Sequence, residues 1–161
     1  MECKPLKQRL LKLLVALTLL LISLAGNSQK IYIKKYRPLA DSLGAEYGIP
    51  ASLILGVALL ESASGTSANC KLLNNHFGME GKNSVFKRKK IKTRYKEYKS
   101  ARESYIDFCK LLSHRKYYKK LKGNLNFHLW VDAISKSGYS EVPSIWKERV
   151  TSTILKNHLQ K

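Results

Sequence analysis

Glu61 closes a stretch that is otherwise almost wholly apolar, "GIPASLILGVALLESASGTS", from Gly48 to Ser67. In a helix, the residues three, four and seven before Glu61 share its face, and these are Ala58, Val57 and Ile54. Leu53, Leu55, Leu59 and Leu60 fall on the opposite side, so the helix is hydrophobic nearly all round and belongs in the centre of a fold. A carboxyl at the mouth of such a helix is desolvated, and desolvation favours its protonated form. That is the property a general acid needs to protonate a leaving group near neutrality. The competing reading is a solvated residue at the helix end. There an acid opposes the helix dipole at a cost of a few tenths of a kcal/mol, and nothing structural asks for it.

Other chemistries find little support in the chain. His76, His114, His128 and His158 are scattered without paired spacing, so neither a metal site nor a metal cofactor is expected. There is no glycine-rich phosphate loop, and no organic cofactor is expected either. Of three cysteines, Cys3 belongs to the leader described below. Cys70 and Cys109 form an even pair that either bridges or stays as two buried thiols.

The elements that would carry Glu61 follow from periodicity. The 161 residues suit one domain preceded by a leader. Lys4, Lys7, Arg9 and Lys12 precede an uncharged run from Leu13 to Ser28, the pattern of a secretory signal peptide. Cleavage is expected after Ala25 or after Ser28, giving a leader of residues 1–28 and a domain of residues 29–161. The run is short for a membrane span, which needs about 20 apolar residues. An uncleaved anchor is the alternative, and the only route by which a membrane is expected to be a partner. Either way the domain acts outside the cytoplasm, in the periplasm or as a secreted protein.

Ile33, Tyr36, Leu39, Ala40 and Leu43 define a first amphipathic helix ending near Gly48. Pro50 opens a second helix running to about Ser62. "SASGTSANCKLLNN" is a loop or short broken helix, and Val85–Phe86 with Ile91–Tyr98 are expected as strands of a small hairpin. Ser100 and Glu103 have capping-box spacing before a helix whose face is Tyr105, Phe108, Leu111 and Leu112. "NFHLWVDAISKSG" is a helix closed by Gly138. The last helix is amphipathic through Ile145, Trp146, Val150, Ile154 and Leu155. The sum is an α+β, mainly helical domain with one small β element.

Charge narrows the partners. The formal net charge is +19, and the four Lys/Arg and single acid of the first 28 residues leave +16 for the rest. Residues 82–122 hold 16 Lys/Arg against Glu97, Glu103 and Asp107. Such a surface suits anionic polymers of a cell envelope, held in a salt-sensitive way. A solvated basic face is the plainer reading. Nucleic acid is not expected as a partner of an exported chain, and a monomer is expected.

Four short motifs, in order, resemble those of glycoside hydrolase family 73, the flagellar-type peptidoglycan endo-β-N-acetylglucosaminidases. Leu60-Glu61-Ser62 followed by Gly65-Thr66-Ser67 resembles the end of their catalytic helix. "NNHFGM" is similar to their Asn-Asn-x-Phe-Gly-Ile, "YKEYKSARESYIDF" to their Tyr-x-Ser-x-x-Glu-Ser-x-x-Asp segment, and "SGYSEVP" to their Ala-Gly-Tyr-Ala-Thr-x-Pro. The resemblance spans roughly Tyr32 to His158. It implies a lysozyme-like helical lobe, a small β-hairpin lobe and a glycan cleft between them. It implies Glu61 as the general acid and Tyr139 as a functionally important cleft residue. Phe77 and Gly78 would form the cleft floor, with Asn75 and Ser62 of the same motifs also assigned to substrate binding.

Glycosidases of this kind usually use a second carboxylate as nucleophile or base. The family places it in the β lobe, where this chain offers only Glu80 and Glu97. Glu80 stands where relatives commonly have Lys. Three functions therefore stay open: a glucosaminidase, a muramidase or lytic transglycosylase cutting the neighbouring bond, and a basic module that holds glycan without cutting it.

Overall fold

The computed structural model of the chain describes residues 4–160, with the side chains of residues 8–15 and 27–160. Cys3 and the first residues of the leader lie outside the described residues. The elements are α1 (Lys4–Tyr47), α2 (Ala51–Glu61), α3 (Ala68–Leu73), α4 (Val85–Lys89), α5 (Ala101–Ser113), α6 (Tyr118–Leu121), α7 (Phe127–Ser135) and α8 (Pro143–Lys156).

The apolar second helix is central, as its composition requires. Every residue of α2 from Ser52 to Leu59 is buried, and α1, α5, α7 and α8 pack around it. Gly56 sets the distance to α8. A Cβ there would stand 2.4 Å from Ile154 Cγ1, so only glycine lets the two helices meet this closely. Gly48, at φ +63, ends α1 and turns the chain into Pro50, in a conformation that costs glycine least. The first helix ends where periodicity predicts but is continuous back to Lys4. Among the described residues, Tyr32 is the first of the hydrophobic core, while Leu10, Leu11, Leu13 and Leu14 are exposed. Among the described residues, no helix is long and apolar enough to cross a membrane.

Ser100 accepts from Glu103 N, and the Glu103 carboxylate reaches back to Lys99 N, one residue before the cap. The predicted face of α5 is buried at Tyr105, Phe108 and Leu112. On α8 the core contacts are Trp146, Val150 and Ile154, whereas Ile145 and Leu155 are exposed.

The expected β-hairpin is corrected by the structure. Val85–Phe86 lie in α4, and the pairing between the flanking segments is a single bridge, Glu80 with Tyr95. Around it run three irregular bonds, Gly81 N to Arg94 O, Lys96 N to Met79 O and Glu97 N to Lys82 O. Side chains replace the rest of the ladder. Asn83 Nδ2 donates to both Thr93 O and Tyr95 O at 2.9 Å. The segment "KRKK" offers no alternating apolar residue to reward a pleat, and Ser84 O instead accepts from Lys87 N and Arg88 N to start a helical turn. The result is a basic arm, residues 79–98, anchored by the buried Val85 and Tyr98.

Candidate active site

Glu61 is the last residue of α2, and the chain reverses directly after it. Ala63, Ser64 and Gly65 all have left-handed φ (48, 56 and 80°), an unfavourable conformation for the first two. Ser62 holds the reversal: its Oγ accepts from Gly65 N at 2.9 Å and its carbonyl from Ser67 N at 3.0 Å. Ser62 is fully buried and does not line the cleft, so the substrate-binding role expected of it gives way to a turn-forming one.

The turn leaves the Glu61 carboxyl at the base of a cleft of about 590 Å³. Oε1 accepts from Trp146 Nε1 on α8 at 2.8 Å. Burial pushes the carboxyl's pKa up from the usual range, while the Trp146 bond and the Arg149 guanidinium oppose that rise. Desolvation wins because the closest donor is a neutral indole. The geometry is that of an acid held in place without being forced to ionise.

The "NNHFGM" loop forms the floor, and its residues divide the work differently from the expectation. The Phe77 ring is buried, stacked on Phe108 at 4.2 Å and edge-on to Tyr105 at 4.8 Å, so it packs the core beneath the cleft. Gly78 takes φ +65 beside the acid, and a Cβ there would lie 3.7 Å from Glu61 Oε2. Asn75 does not face the cleft. Its amide donates to Met79 O and Lys96 O, both at 2.8 Å, and its Oδ1 accepts from Met79 N and Phe77 N. All of its capacity is used in tying the floor to the basic arm, in place of sugar contact.

A buried polar cluster supports the same loop from beneath. Tyr32 Oη lies 2.6 Å from His76 Nδ1 and 3.0 Å from Tyr105 Oη, and Ser104 Oγ accepts from His76 N. Burial, and then Lys35, lower the His76 pKa to about 4, so the ring is neutral. Cys70 Sγ is 3.5 Å from His76 Nε2, and Cys109 lies in the core with its thiol pushed up to about 12 by burial. Both cysteines are free, so the open alternative resolves to two buried thiols.

Tyr139 follows Gly138 and lines the cleft with its ring half-buried. It packs on Trp146 at 5.2 Å, and its hydroxyl donates inward to Phe77 O at 3.0 Å. Burial and the neighbouring Glu61 charge keep the phenol protonated. Tyr139 therefore fixes the floor and braces the indole that holds Glu61.

The two candidate second carboxylates part company. Glu80 lines the cleft rim and pairs with Arg94 at 3.0 Å. Glu97 lies in the arm, away from this cleft. It accepts from Ser84 N and Ser84 Oγ and pairs with Arg88, and the bond from Ser84 N leads in holding its pKa below the usual range. Among the described residues, no group of three or more His, Cys, Asp or Glu side chains could hold a metal. Sequence reasoning missed Trp146, Arg149 and Arg115 as cleft residues. Trp146 and Arg149 lie three apart on the last helix, but their approach to Glu61 spans 85 residues or more of chain.

Residues 37–159 match the model of the Glucosaminidase family, mannosyl-glycoprotein endo-beta-N-acetylglucosaminidase. Three solved structures share the fold. The catalytic domain of the autolysin Auto from Listeria monocytogenes is 21% identical, with TM-score 0.68, covering 83% of this chain and 86% of that one. The glycoside hydrolase domain of Salmonella typhimurium FlgJ is 23% identical, with TM-score 0.63, covering 81% and 88%. A type VI secretion system effector-immunity complex from Pseudomonas protegens contains a chain 17% identical, with TM-score 0.59, covering 78% and 91%. No curated protein matches the chain. With the family match covering the helical domain and both walls of its cleft, the chain belongs to the endo-β-N-acetylglucosaminidase family of glycoside hydrolases.

Proposed function

We propose that the protein is an exported peptidoglycan hydrolase that cuts the glycan strand on the reducing side of N-acetylglucosamine, with Glu61 as the general acid. One observation carries the reading. Glu61 sits at the base of the cleft with its pKa raised by burial and its carboxyl held by the neutral Trp146 N–H. Glu61 gives its proton to the glycosidic oxygen as the C1–O bond breaks. Water adds to C1, and its proton returns to the carboxylate in the second half of the reaction. Tyr139 and Gly78 shape the floor against which the sugar lies.

Glu80 is the one other carboxylate lining the cleft among the described residues, so it is the candidate second catalytic group. Its pairing with Arg94 on the rim favours a different route for the attack on C1, through the substrate's own 2-acetamido oxygen. The same pairing favours a second reading, a catalytically weak glycan-binding module. Export rests on the leader pattern of residues 1–28 and on the exposure of Leu10, Leu11, Leu13 and Leu14 outside the core. The site of action that follows is the bacterial envelope, where anionic polymers would meet the basic arm. A monomer is the state proposed.

The test incubates the protein and its Glu61→Gln variant with purified peptidoglycan and identifies borohydride-reduced ends by mass spectrometry. Reduced N-acetylglucosamine ends from the wild type alone are the expected result. Reduced muramic or anhydro ends would mean the neighbouring bond. Glycan binding without fragments from either protein would leave the binding module.

A further inference from the structure

Beyond Glu61 the cleft opens into a second groove of about 310 Å³, and the two share Leu60 and Arg149 as walls. The groove runs along one face of α8. Trp146, Arg149, Thr153 and Lys156 stand at i, i+3, i+7 and i+10, so they form a single stripe leading away from the acid. The stripe begins apolar at the indole that holds Glu61 and ends cationic.

Most described Lys and Arg side chains of this molecule lack a close carboxylate, and Arg149 and Lys156 are set apart by standing beside the cleft that holds Glu61. Four acids elsewhere, Glu80, Glu97, Asp107 and Asp132, pair with Lys or Arg within 4.0 Å. Among the described residues, neither Arg149 nor Lys156 has a carboxylate that close. The acid that lines the groove is Glu148, and it is exposed on the ridge of α8 shared with the next depression. A neutral polysaccharide supplies only hydroxyls and amides, which give two cations no counter-charge. A guanidinium beside a cleft is suited to grip a carboxylate through two parallel N–H bonds.

We propose that the groove from Arg149 to Lys156 binds a carboxylate on the side branch of the glycan, making the enzyme selective for acid-bearing strands over neutral N-acetylglucosamine polymers. The inference rests on the peptidoglycan reading above. In that polymer alternate sugars carry a lactyl ether, which ends either in a free carboxylate or in a peptide that bears carboxylates of its own. Arg149, one turn from Trp146, takes the nearest carboxylate. Lys156, two turns further on, is reached only by the longer peptide branch.

The experiment compares peptide-bearing strands, strands stripped of peptide to leave lactyl carboxylates, and neutral N-acetylglucosamine oligomers. All three share whatever Arg149 does for Glu61, so the ratio between substrates isolates the carboxylate contact. Arg149→Gln is expected to lower kcat/KM on acid-bearing strands about tenfold more than on the neutral oligomer. Arg149→Lys should recover part of that loss. A selective loss on stripped strands assigns the lactyl carboxylate, and a loss confined to peptide-bearing strands, shared by Lys156→Gln, assigns the peptide. Equal losses on charged and neutral substrates, or an equal selective loss from Arg115→Gln, which lines the cleft but not the groove, overturn the proposal. Affinities measured in the Glu61→Gln background separate the two readings. A wild type that cuts nothing removes the hydrolase. The groove proposal still stands or falls on whether Arg149→Gln weakens binding to acid-bearing strands selectively.

Discussion

Glu61 and Glu97 are the same side chain in opposite surroundings. Glu97 sits in the basic arm with Arg88 and two Ser84 donors, and the bond from Ser84 N leads in lowering its pKa. Glu61 is half-buried at the cleft, is hydrogen-bonded by one neutral donor, and has its pKa raised by desolvation although Arg149 opposes the rise. In a chain with 30 Lys/Arg against 11 Asp/Glu, Glu61 combines burial with the lack of a cation at bonding distance. The contrast shows that the fold keeps an acid protonatable by burying it and keeping the cleft's cations, Arg149 among them, off its oxygens. A carboxyl poised for proton transfer is recognised here by its burial beside a neutral donor.

The largest effect should come from removing that one proton. Glu61→Gln keeps the oxygen that accepts from Trp146 but cannot donate to a leaving group, so kcat should fall about a thousandfold. The same change should stabilise the protein. Because the folded pKa of Glu61 is raised, the native state binds more protons than the unfolded chain above the ordinary carboxylate pKa, and wild-type stability falls as pH rises through that window. Glu61→Gln removes the penalty. Thermal melts should show the variant more stable at neutral pH and the difference vanishing below about pH 4. A variant less stable than wild type at pH 7 would mean that Glu61 is held as an anion.

The next effect tests the residue that joins the two regions. Asn75 links the cleft floor at Phe77 and Met79 to the arm at Lys96. Asn75→Ala leaves several buried backbone groups without partners and should destabilise the fold by about 3 kcal/mol, read from denaturant melts. Glycan binding should weaken with it, because the loop beside Glu61 loses its tether. A stable variant with weakened glycan affinity would return Asn75 to the sugar-binding role that its motif suggests.

Asn75 also shows where the sequence is informative and where it is not. The central helix and its termination at Glu61 are legible because they depend on local pattern: an unbroken apolar run and a carboxylate at its end, while Gly78 is reached only through the resemblance. The direction in which a polar side chain points is not local. Asn75, Ser62 and the Tyr139 hydroxyl all turn inward to backbone partners, the last across 62 residues of chain. Trp146 reads as one more core residue of an amphipathic helix until its indole is seen against Glu61. The arm misleads for a further reason. Its alternating Val/Phe and Ile/Tyr positions suggest strands, but Asn83 takes over the ladder bonds and the lysine run coils into α4.

Trp146 offers a finer way to probe the comparison. Its N–H stabilises the charged form of Glu61, so Trp146→Phe should raise the carboxyl's pKa further. The alkaline limb of the pH–rate profile should move to higher pH, while the maximal rate drops about tenfold as the carboxyl loses its fixed orientation. A limb moving to lower pH would show that the indole excludes water more than it stabilises charge.

Glu97→Gln should have the smallest effect, and its sign is opposite to that of Glu61→Gln. The lowered pKa of Glu97 contributes stability above the ordinary carboxylate range, and that contribution is lost as pH falls through the folded pKa. The glutamine keeps one acceptor for Ser84 but loses the charge facing Arg88. Surface ion pairs of this kind are screened, so the melting difference should be slight at neutral pH, absent in acid and erased by added salt. Glycan cleavage should be unchanged. A fall in kcat comparable to that of Glu61→Gln would make the arm's carboxylate part of the chemistry, and the division between a buried acid in the cleft and an ion-paired one in the arm would no longer hold.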